Sequence, residues 1–237
     1  MTPEQAFAEL LRAEPSRPFV TYYDEATGER TELSVKSLAN WVAKTHHLLV
    51  DELGLGVGDT ALVATAAHWI TYPALLGCLT AGLALTSDDA GDAGVAFVDP
   101  EHVERAAKVP DVYAIAPQSA AIGFGDATPA GTNDYVLSVR PQQDKWPTVF
   151  LAASESDPCL ADRSRAEVME RAGERAADLG LKPGGRLLST ADWADADAWI
   201  DALFVPLAVG GSVVLVRNAA AETVSRRADQ ERADLVR

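Results

Sequence analysis

The sequence predicts an α/β protein with two doubly wound, mainly parallel sheets and flanking helices. Two stretches support this prediction, because each contains a strand, an apolar helix, a glycine and a second strand in the same order. The first follows the turn LGLGVGD at 53–59, and the second follows the similar turn LGLKPGG at 179–185. Short apolar strands that alternate with helices are typical of parallel sheets. We expect a first α/β lobe at 1–147, with an N-terminal helix and a β-hairpin, and a second lobe at 148–237.

The composition is that of a folded, acidic protein. The chain has 237 residues, and its hydrophobic content of 48% is enough for a sizeable core. The formal net charge of -15 argues against nucleic acid or a membrane surface as a partner, since both depend on Lys and Arg contacts. Cys78 and Cys159 lie far apart without metal-ligand spacing, so we expect reduced thiols and a cytoplasmic location. The apolar stretch at 61–85 is interrupted by a histidine, a proline and a glycine, which does not fit a membrane span.

Local patterns predict the elements of the first lobe. The N-terminus indicates a short amphipathic helix that two prolines end, and residues 19–33 alternate around a turn as a β-hairpin does. Ser34 is placed to cap the next helix. The further predictions are a strand at 60–65, an apolar helix at 68–80, strands at 83–86 and 95–99, a helix at 101–108, a strand at 112–116, an irregular crossover at 117–131 and a strand at 135–139.

The second lobe is predicted to begin with a buried strand at 148–151, which is rich in β-branched and aromatic residues. A loop follows, and then a helix at 164–179. After the turn at 179–185 we expect a strand, a helix from about residue 194 and another strand. The tail at 219–237 is predicted to be a charged amphipathic helix at best, without another strand.

The loop at 152–162 lies where nucleotide-binding proteins often hold phosphate, between a strand and a helix. Such loops carry glycines that let backbone N–H groups close on phosphate, usually with a Lys. This loop has neither Gly nor Lys, and Glu155, Asp157 and Asp162 add negative charge. Acidic groups beside a phosphate repel it.

Four residues remain as candidates for a ligand site at this degenerate loop: Ser154, Ser156, Arg163 and Arg165. Arg163 and Arg165 are the cations close to the loop, at the start of the following helix, where the helix dipole attracts anions. No catalytic residue and no metal site is predicted from the sequence.

Other reactive residues have simpler explanations. His46 and His47 are adjacent on a helix, so they face different directions and cannot form a metal pair on one face. His68 and His102 begin predicted helices, where capping or solvent contact explains them. Cys159 is interpreted as an incidental loop thiol, because the sequence has no histidine nearby and the neighbouring acids raise the pKa of such a thiol.

Two blocks resemble a known superfamily. The block at 32–86 has a helix, the L-G-x-x-x-G-D turn, a strand, a buried helix and an Ala-Gly pair, in the order found at the start of adenylate-forming enzymes. The block at 186–216, with RLLST and PLAVGGSVVLV, resembles a later part of the same superfamily, which includes acyl-CoA synthetases, luciferases and peptide-synthetase adenylation domains. The chain is similar to a short relative of the N-terminal half of such an enzyme.

The resemblance implies a fold more readily than an activity. Superfamily members bind ATP and activate a carboxylate as its adenylate, using a phosphate loop rich in Ser, Thr and Gly with a Lys. At the matching place this chain has AASESDPCLADRS. The later superfamily motifs and the catalytic Lys of the C-terminal domain would lie beyond residue 237. No cofactor is therefore expected, although binding of ATP or CoA is left open.

The leading hypothesis is a non-catalytic acyl-CoA synthetase-like protein that acts as an interaction or regulatory module. One alternative is a binding protein for an acyl, CoA or nucleotide ligand, and another is one half of a split adenylate-forming enzyme. A protein partner or a homodimer is predicted, because the second half keeps large aromatic residues that an interface could use. These residues are Trp146, Trp193, Trp199 and Phe204. Two other interpretations of Trp193 and Trp199 are that they pack in the core or that they line an acyl pocket.

Overall fold

The computed structural model describes residues 1–87, 91–116, 122–145, 153–193 and 195–237. The strand predicted at 148–151 and Trp146 lie outside the described residues. The structure confirms an α/β fold with two mainly parallel sheets and flanking helices.

The elements are given in chain order. The strands are β1 (Pro18–Asp24), β2 (Glu29–Ser34), β3 (Thr60–Ala64), β4 (Ala84–Thr86), β5 (Val95–Val98), β6 (Asp111–Ala114), β7 (Asn133–Asp134), β8 (Pro158–Leu160), β9 (Arg163–Ser164), β10 (Arg186–Ser189), β11 (Ser212–Arg217) and β12 (Leu235–Val236). The α-helices are α1 (Pro3–Ala13), α2 (Val35–His47), α3 (Thr71–Ala81), α4 (Tyr135–Val139), α5 (Arg165–Leu179), α6 (Val205–Ala208) and α7 (Ala221–Glu231). Short π-helices occupy Leu48–Glu52 and Ile200–Phe204, and 3₁₀ turns occupy Pro100–Ala106 and Gly125–Ala127.

The two sheets are mixed but mainly parallel. The first has the order β12-β10-β11-β1-β2, and its antiparallel pair is the predicted hairpin β1–β2. The second has the order β7-β6-β5-β3-β4-β8-β9, with β8–β9 as its antiparallel pair. The repeated units both pair in parallel, β3 with β4 and β10 with β11, as the sequence repeat predicts.

Each sheet takes strands from both sides of residue 147. The strand β1 is buried along its middle five residues and lies between β2 and β11, where Val20 is in register with Val213. In the second sheet, β8 pairs with β4. The predicted division at 147 therefore does not coincide with the division between the sheets, because the doubly buried β1 needs neighbours on both edges.

Three local predictions were wrong. Residues 135–139 form helix α4 instead of a strand, because the Asp134 carboxylate accepts a hydrogen bond from the Leu137 N–H and caps a helix there. The tail adds strand β12 after α7, paired in parallel with β10. The helix expected from about residue 194 begins later, as the π-helix at Ile200–Phe204 that leads into α6.

Both sheets contribute to one hydrophobic core. The largest cluster of buried residues contains Val20 and Val213 of the first sheet together with Val63 and Phe97 of the second. Every residue of α3 is buried, as its apolar sequence predicts. Among the described residues, no helix combines the length and the apolar character that crossing a bilayer requires.

Candidate functional site

The loop predicted to match a phosphate loop is closed by its own side chains. The backbone N–H of Ser154 donates to Asp157 Oδ2 at 2.6 Å, and the Ser154 hydroxyl donates to the same oxygen at 3.0 Å. The hydroxyls of Ser154 and Ser156 lie 3.0 Å apart. These bonds from Ser154 lower the pKa of Asp157, so the turn stays anionic at neutral pH.

The amides that open α5 already have protein acceptors. The N–H of Arg165 donates to the Asp157 carbonyl at 3.0 Å, and the N–H of Ala166 donates to the Glu155 carbonyl at 2.9 Å. The N–H of Glu167 donates to the Ser164 hydroxyl, while the Glu167 carboxylate accepts from the Ser164 N–H in a capping box. An anion at this helix start would have to displace these bonds.

Arg165 is a structural residue and is not open to solvent. Its side chain is 0% exposed, and its Nε donates to Glu4 Oε1 at 3.0 Å. Its Nη2 donates to the carbonyls of Leu79 at 3.3 Å and Leu83 at 3.2 Å, and its Nη1 donates to the Pro158 carbonyl. Burial raises the pKa of Glu4, and the Arg165 charge opposes that rise. The guanidinium therefore ties α1, α3 and β8 together.

Arg163 is partly exposed but already paired. Its Nη1 donates to Asp197 Oδ1 at 2.8 Å. The structure thus brings Ser154 and Ser156 together in one turn, whereas Arg163 and Arg165 are directed to separate acidic partners. The four predicted residues do not converge on a common point.

Cys159 is fully buried, and burial raises the pKa of its thiol to about 12. A thiol of that kind is a poor nucleophile at neutral pH. The interpretation of Cys159 as unreactive agrees with this environment, although it lies in strand β8 instead of a loop.

A cavity of about 310 Å³ lies elsewhere, where strands of both sheets end. Its wall includes Asp24 at the end of β1, Asp99 after β5 and Arg217 at the end of β11. Ala66 and His68, in the segment between β3 and α3, also line it. Ligands of open α/β sheets bind beyond the carboxyl ends of strands, so this cavity is the candidate functional site.

The charge of the cavity wall is mainly negative. The described lining residues include three acids, Asp24, Asp99 and Glu101, and one cation, Arg217. The Arg217 guanidinium donates to two backbone carbonyls at 3.1 and 3.0 Å and also pairs with Asp192. A cationic or neutral polar ligand therefore fits this wall better than an anion.

Asp99 has an unusual environment for a carboxylate. It is 3% exposed, and its Oδ2 accepts a hydrogen bond from the Ala66 N–H at 2.6 Å. Its Oδ1 is buried and has no hydrogen-bond partner among the described residues. Burial raises the pKa of Asp99 to about 6.

His68 is held as a neutral ring. It is 3% exposed, and its Nδ1 accepts from the Ile70 N–H at 3.2 Å, which leaves the proton on Nε2. Nε2 lies 3.6 Å from Glu29 Oε2. Burial lowers the pKa of His68 to about 4, although Glu29 and Asp24 oppose the shift. The ring packs against Tyr22, with centroids 4.2 Å apart.

Sequence reasoning missed this cavity. It placed the candidate ligand site at the loop 152–162 and explained His68 by capping or solvent contact. One signal was available: Asp24 and Asp99 each stand at the end of an apolar strand, and ligands of α/β sheets bind beyond such ends. The two strands belong to different sheets, and no local pattern indicates that their ends line one cavity.

The comparisons with known proteins agree with this architecture. No model of a known protein family matches the chain. A TIGR03089 family protein of Mycobacterium tuberculosis is 37% identical over 229 residues, which cover 94% of this chain and 92% of that protein. The crystal structure of Brucella canis acyl-CoA synthetase superposes with a TM-score of 0.81 at 17% identity, over 100% of this chain and 47% of the synthetase.

These two likenesses support different conclusions. At 17% identity, the synthetase shows the fold alone, and the chain spans about half the length of that enzyme. The predicted resemblance to an N-terminal half of the adenylate-forming superfamily is thereby confirmed at the level of fold. The mycobacterial likeness extends over nearly the full length of both proteins. The chain therefore belongs to the TIGR03089 family and has an acyl-CoA synthetase-like fold.

Proposed function

We propose that the protein acts by binding, without forming acyl adenylates. The observation that carries this proposal is the start of α5, where the N–H groups of Arg165, Ala166 and Glu167 are all engaged by the chain itself. In an adenylate-forming enzyme, free donors at the phosphate loop would be needed to hold the phosphates of ATP while pyrophosphate leaves. Removing one such donor from an active site costs about 2.7 to 4 kcal/mol of transition-state stabilisation.

The cavity favours a small ligand as the bound species. Its volume of about 310 Å³ is at the lower end of the range for small-molecule sites. The described surface, in contrast, exposes few large apolar side chains, which are Met1, Val57, Ile122, Leu137 and Val236. A protein-interaction or regulatory role, a homodimer and a split enzyme stay predictions, with less support from the described geometry.

The ligand should be a small amine or another polar molecule without net negative charge. Three carboxylates line the cavity, and the guanidinium of Arg217 is already bonded. ATP and CoA carry several negative charges and would be repelled. The nucleotide and CoA alternatives therefore have the least support at this position.

The first test is carboxylate-dependent exchange between ATP and pyrophosphate, across fatty, aromatic and amino acids. We expect no exchange above background from the purified chain, with an active acyl-CoA synthetase as the positive control. Clear turnover would contradict the non-catalytic proposal.

The second test is ligand-observed NMR with a panel of small amines, polyols and amino acids. Ala66 is exposed at the cavity wall, so Ala66→Trp should fill the cavity while its N–H still donates to Asp99. Ala130 is exposed in a loop and serves as the matched control, Ala130→Trp. We expect binding that Ala66→Trp abolishes and Ala130→Trp retains. Binding that is equal in both variants would place the ligand elsewhere.

A further inference from the structure

Three potential metal ligands meet where β5 ends. Asp99, Glu101 and His102 each offer one ligand atom, and these atoms all lie within 4.8 Å of one another. Asp99 directly precedes the 3₁₀ turn Pro100–Ala106, which contains the other two. Because residues three apart align in a 3₁₀ turn, this local structure places Asp99 and His102 on one side.

Asp99 does not have the usual role of an aspartate at this position. It occupies the N-cap of the turn, but its side chain makes no capping hydrogen bond. Asp99 is only 3% exposed, and its Oδ1 has no hydrogen-bond partner among the described residues. A buried carboxylate oxygen without a donor costs free energy unless a cation or another donor satisfies it.

One ring nitrogen of His102 is held by the backbone. Its Nδ1 lies 3.2 Å from the Ala64 carbonyl oxygen. A carbonyl can only accept, so Nδ1 carries the proton and Nε2 keeps its lone pair for a metal ion. Metal-binding histidines usually donate their other N–H to a carbonyl or carboxylate in this way. The Asp99 carboxylate is held similarly, by the Ala66 N–H at 2.6 Å.

We propose that Asp99, Glu101 and His102 form a site for a divalent transition-metal ion of the Zn²⁺ type. One imidazole and two carboxylates suit Zn²⁺, whereas Mg²⁺ and Ca²⁺ prefer oxygen ligands alone. Three protein ligands leave a coordination position for water or a small molecule. Asp99 and Glu101 also line the cavity, but metal binding requires no other ligand there.

The experiment is titration of the metal-free chain with ZnCl₂ in competition with a chromophoric chelator. We expect Zn²⁺ to bind, and Glu101→Gln and His102→Gln each to weaken its affinity at least about tenfold. Neither side chain is fully buried, so both variants should fold, and circular dichroism checks that they do. MgCl₂ and CaCl₂ at millimolar concentration should not displace Zn²⁺.

The matched control is His47→Gln. His47 Nδ1 lies 2.8 Å from Asp51 Oδ2, so this pair is a histidine and a carboxylate in contact outside the proposed site. The proposal is overturned if Zn²⁺ does not bind, if His47→Gln removes the binding, or if Glu101→Gln and His102→Gln leave it unchanged. The metal titration contains none of the amines, polyols or amino acids of the NMR panel, and repeating that panel in chelator keeps the cavity proposal separately testable.

Discussion

Two arginines, Arg163 in β9 and Arg165 at the start of α5, have opposite environments, although they are two residues apart. Arg163 is partly exposed and pairs with Asp197, whereas Arg165 is fully buried against Glu4. A buried guanidinium requires several acceptors, and Arg165 has three backbone carbonyls besides the Glu4 carboxylate. Arg165, which the sequence suggested as a ligand-binding residue, therefore stabilises the fold.

Arg165→Met should lower the free energy of unfolding by about 3 to 5 kcal/mol, because it leaves Glu4 and three carbonyls without their donor. Arg163→Met removes an exposed pair and should cost about 0 to 1 kcal/mol. Urea denaturation monitored by circular dichroism measures both. An equal decrease in the free energy of unfolding in the two variants would contradict a larger contribution from the buried Arg165–Glu4 pair.

The difference between these arginines could not be predicted from the sequence. Both were identified as cations near the loop, which is a local observation. The partner Glu4 is 161 residues away from Arg165, and it lies in a helix whose docking site no local pattern reveals. Burial of a charged residue depends on such distant partners, so the sequence alone could not separate structural from binding residues here.

The buried His68 predicts a loss of stability in acid. The pKa of His68 is lowered to about 4 in the folded chain, against 6.5 for an ordinary histidine. Between these values the unfolded chain binds a proton that the folded chain does not, so the free energy of unfolding falls as the pH falls. From about pH 7 to about pH 5 the contribution is about 2 kcal/mol.

The measurement is urea denaturation of the wild type and His68→Asn at both pH values. The wild type should lose about 2 kcal/mol more than the variant between them, because Asn has no proton to bind. Carboxylates that do not interact with His68 contribute equally to both proteins. A parallel pH dependence in the two proteins would refute the lowered pKa.

At the scale of elements, helices α2 and α3 approach each other closely at a glycine. A Cβ added at Gly77 in α3 would lie 2.5 Å from the Cβ and Cγ2 atoms of Thr45 in α2. Thr45 cannot readily move, because its hydroxyl bonds the Trp41 carbonyl at 3.0 Å and the Tyr135 hydroxyl at 2.6 Å. The glycine is therefore required by packing between helices, not by its backbone conformation.

Gly77→Ala should lower the free energy of unfolding by about 1 to 3 kcal/mol through overpacking. Gly173→Ala in α5 is the matched control, since an added Cβ there meets nothing within 4 Å. That change should raise stability by about 0.5 to 1 kcal/mol, because alanine favours helix more than glycine does. Stabilisation by both substitutions would contradict the close contact.

Elements were predictable where their pattern was local. The hairpin at β1–β2 and the buried α3 follow from alternation and from uniform apolarity. Helix α4 was missed because Val136 and Val139 favour a strand by propensity, while the capping by Asp134 decides for a helix. The cavity was missed because its wall combines the ends of four strands from two sheets.

At the scale of the whole molecule, the large aromatic residues predicted for an interface lie in the interior. Trp193, Trp199 and Phe204 are buried inside the chain, at 8%, 2% and 0% exposure. They cannot form the centre of an interface, so the predicted homodimer would have to use other residues. The formal net charge of -15 also opposes close approach of two copies at low ionic strength.

Light scattering coupled to size exclusion tests the homodimer. If the prediction holds, the mass rises towards twice that of one chain as concentration increases, and more so at high salt because repulsion is screened. The mass of a single chain at every protein and salt concentration would contradict the homodimer prediction. As controls, the same measurements are made on the variants Val57→Asp and Leu137→Asp. Each variant replaces an exposed apolar side chain with a charged one.

The pairing of β1 with β11 has a consequence for how the chain is made. A ribosome synthesises β1 well before its parallel neighbour at Ser212–Arg217, because Val20 pairs with the distant Val213. Sheets that join distant segments form slowly, since the long loop must close before any pairing energy is gained. During that interval the hairpin with β2 covers one edge of β1 and leaves the other exposed. An unpaired edge of the largely buried β1 is thus a site of possible aggregation during synthesis.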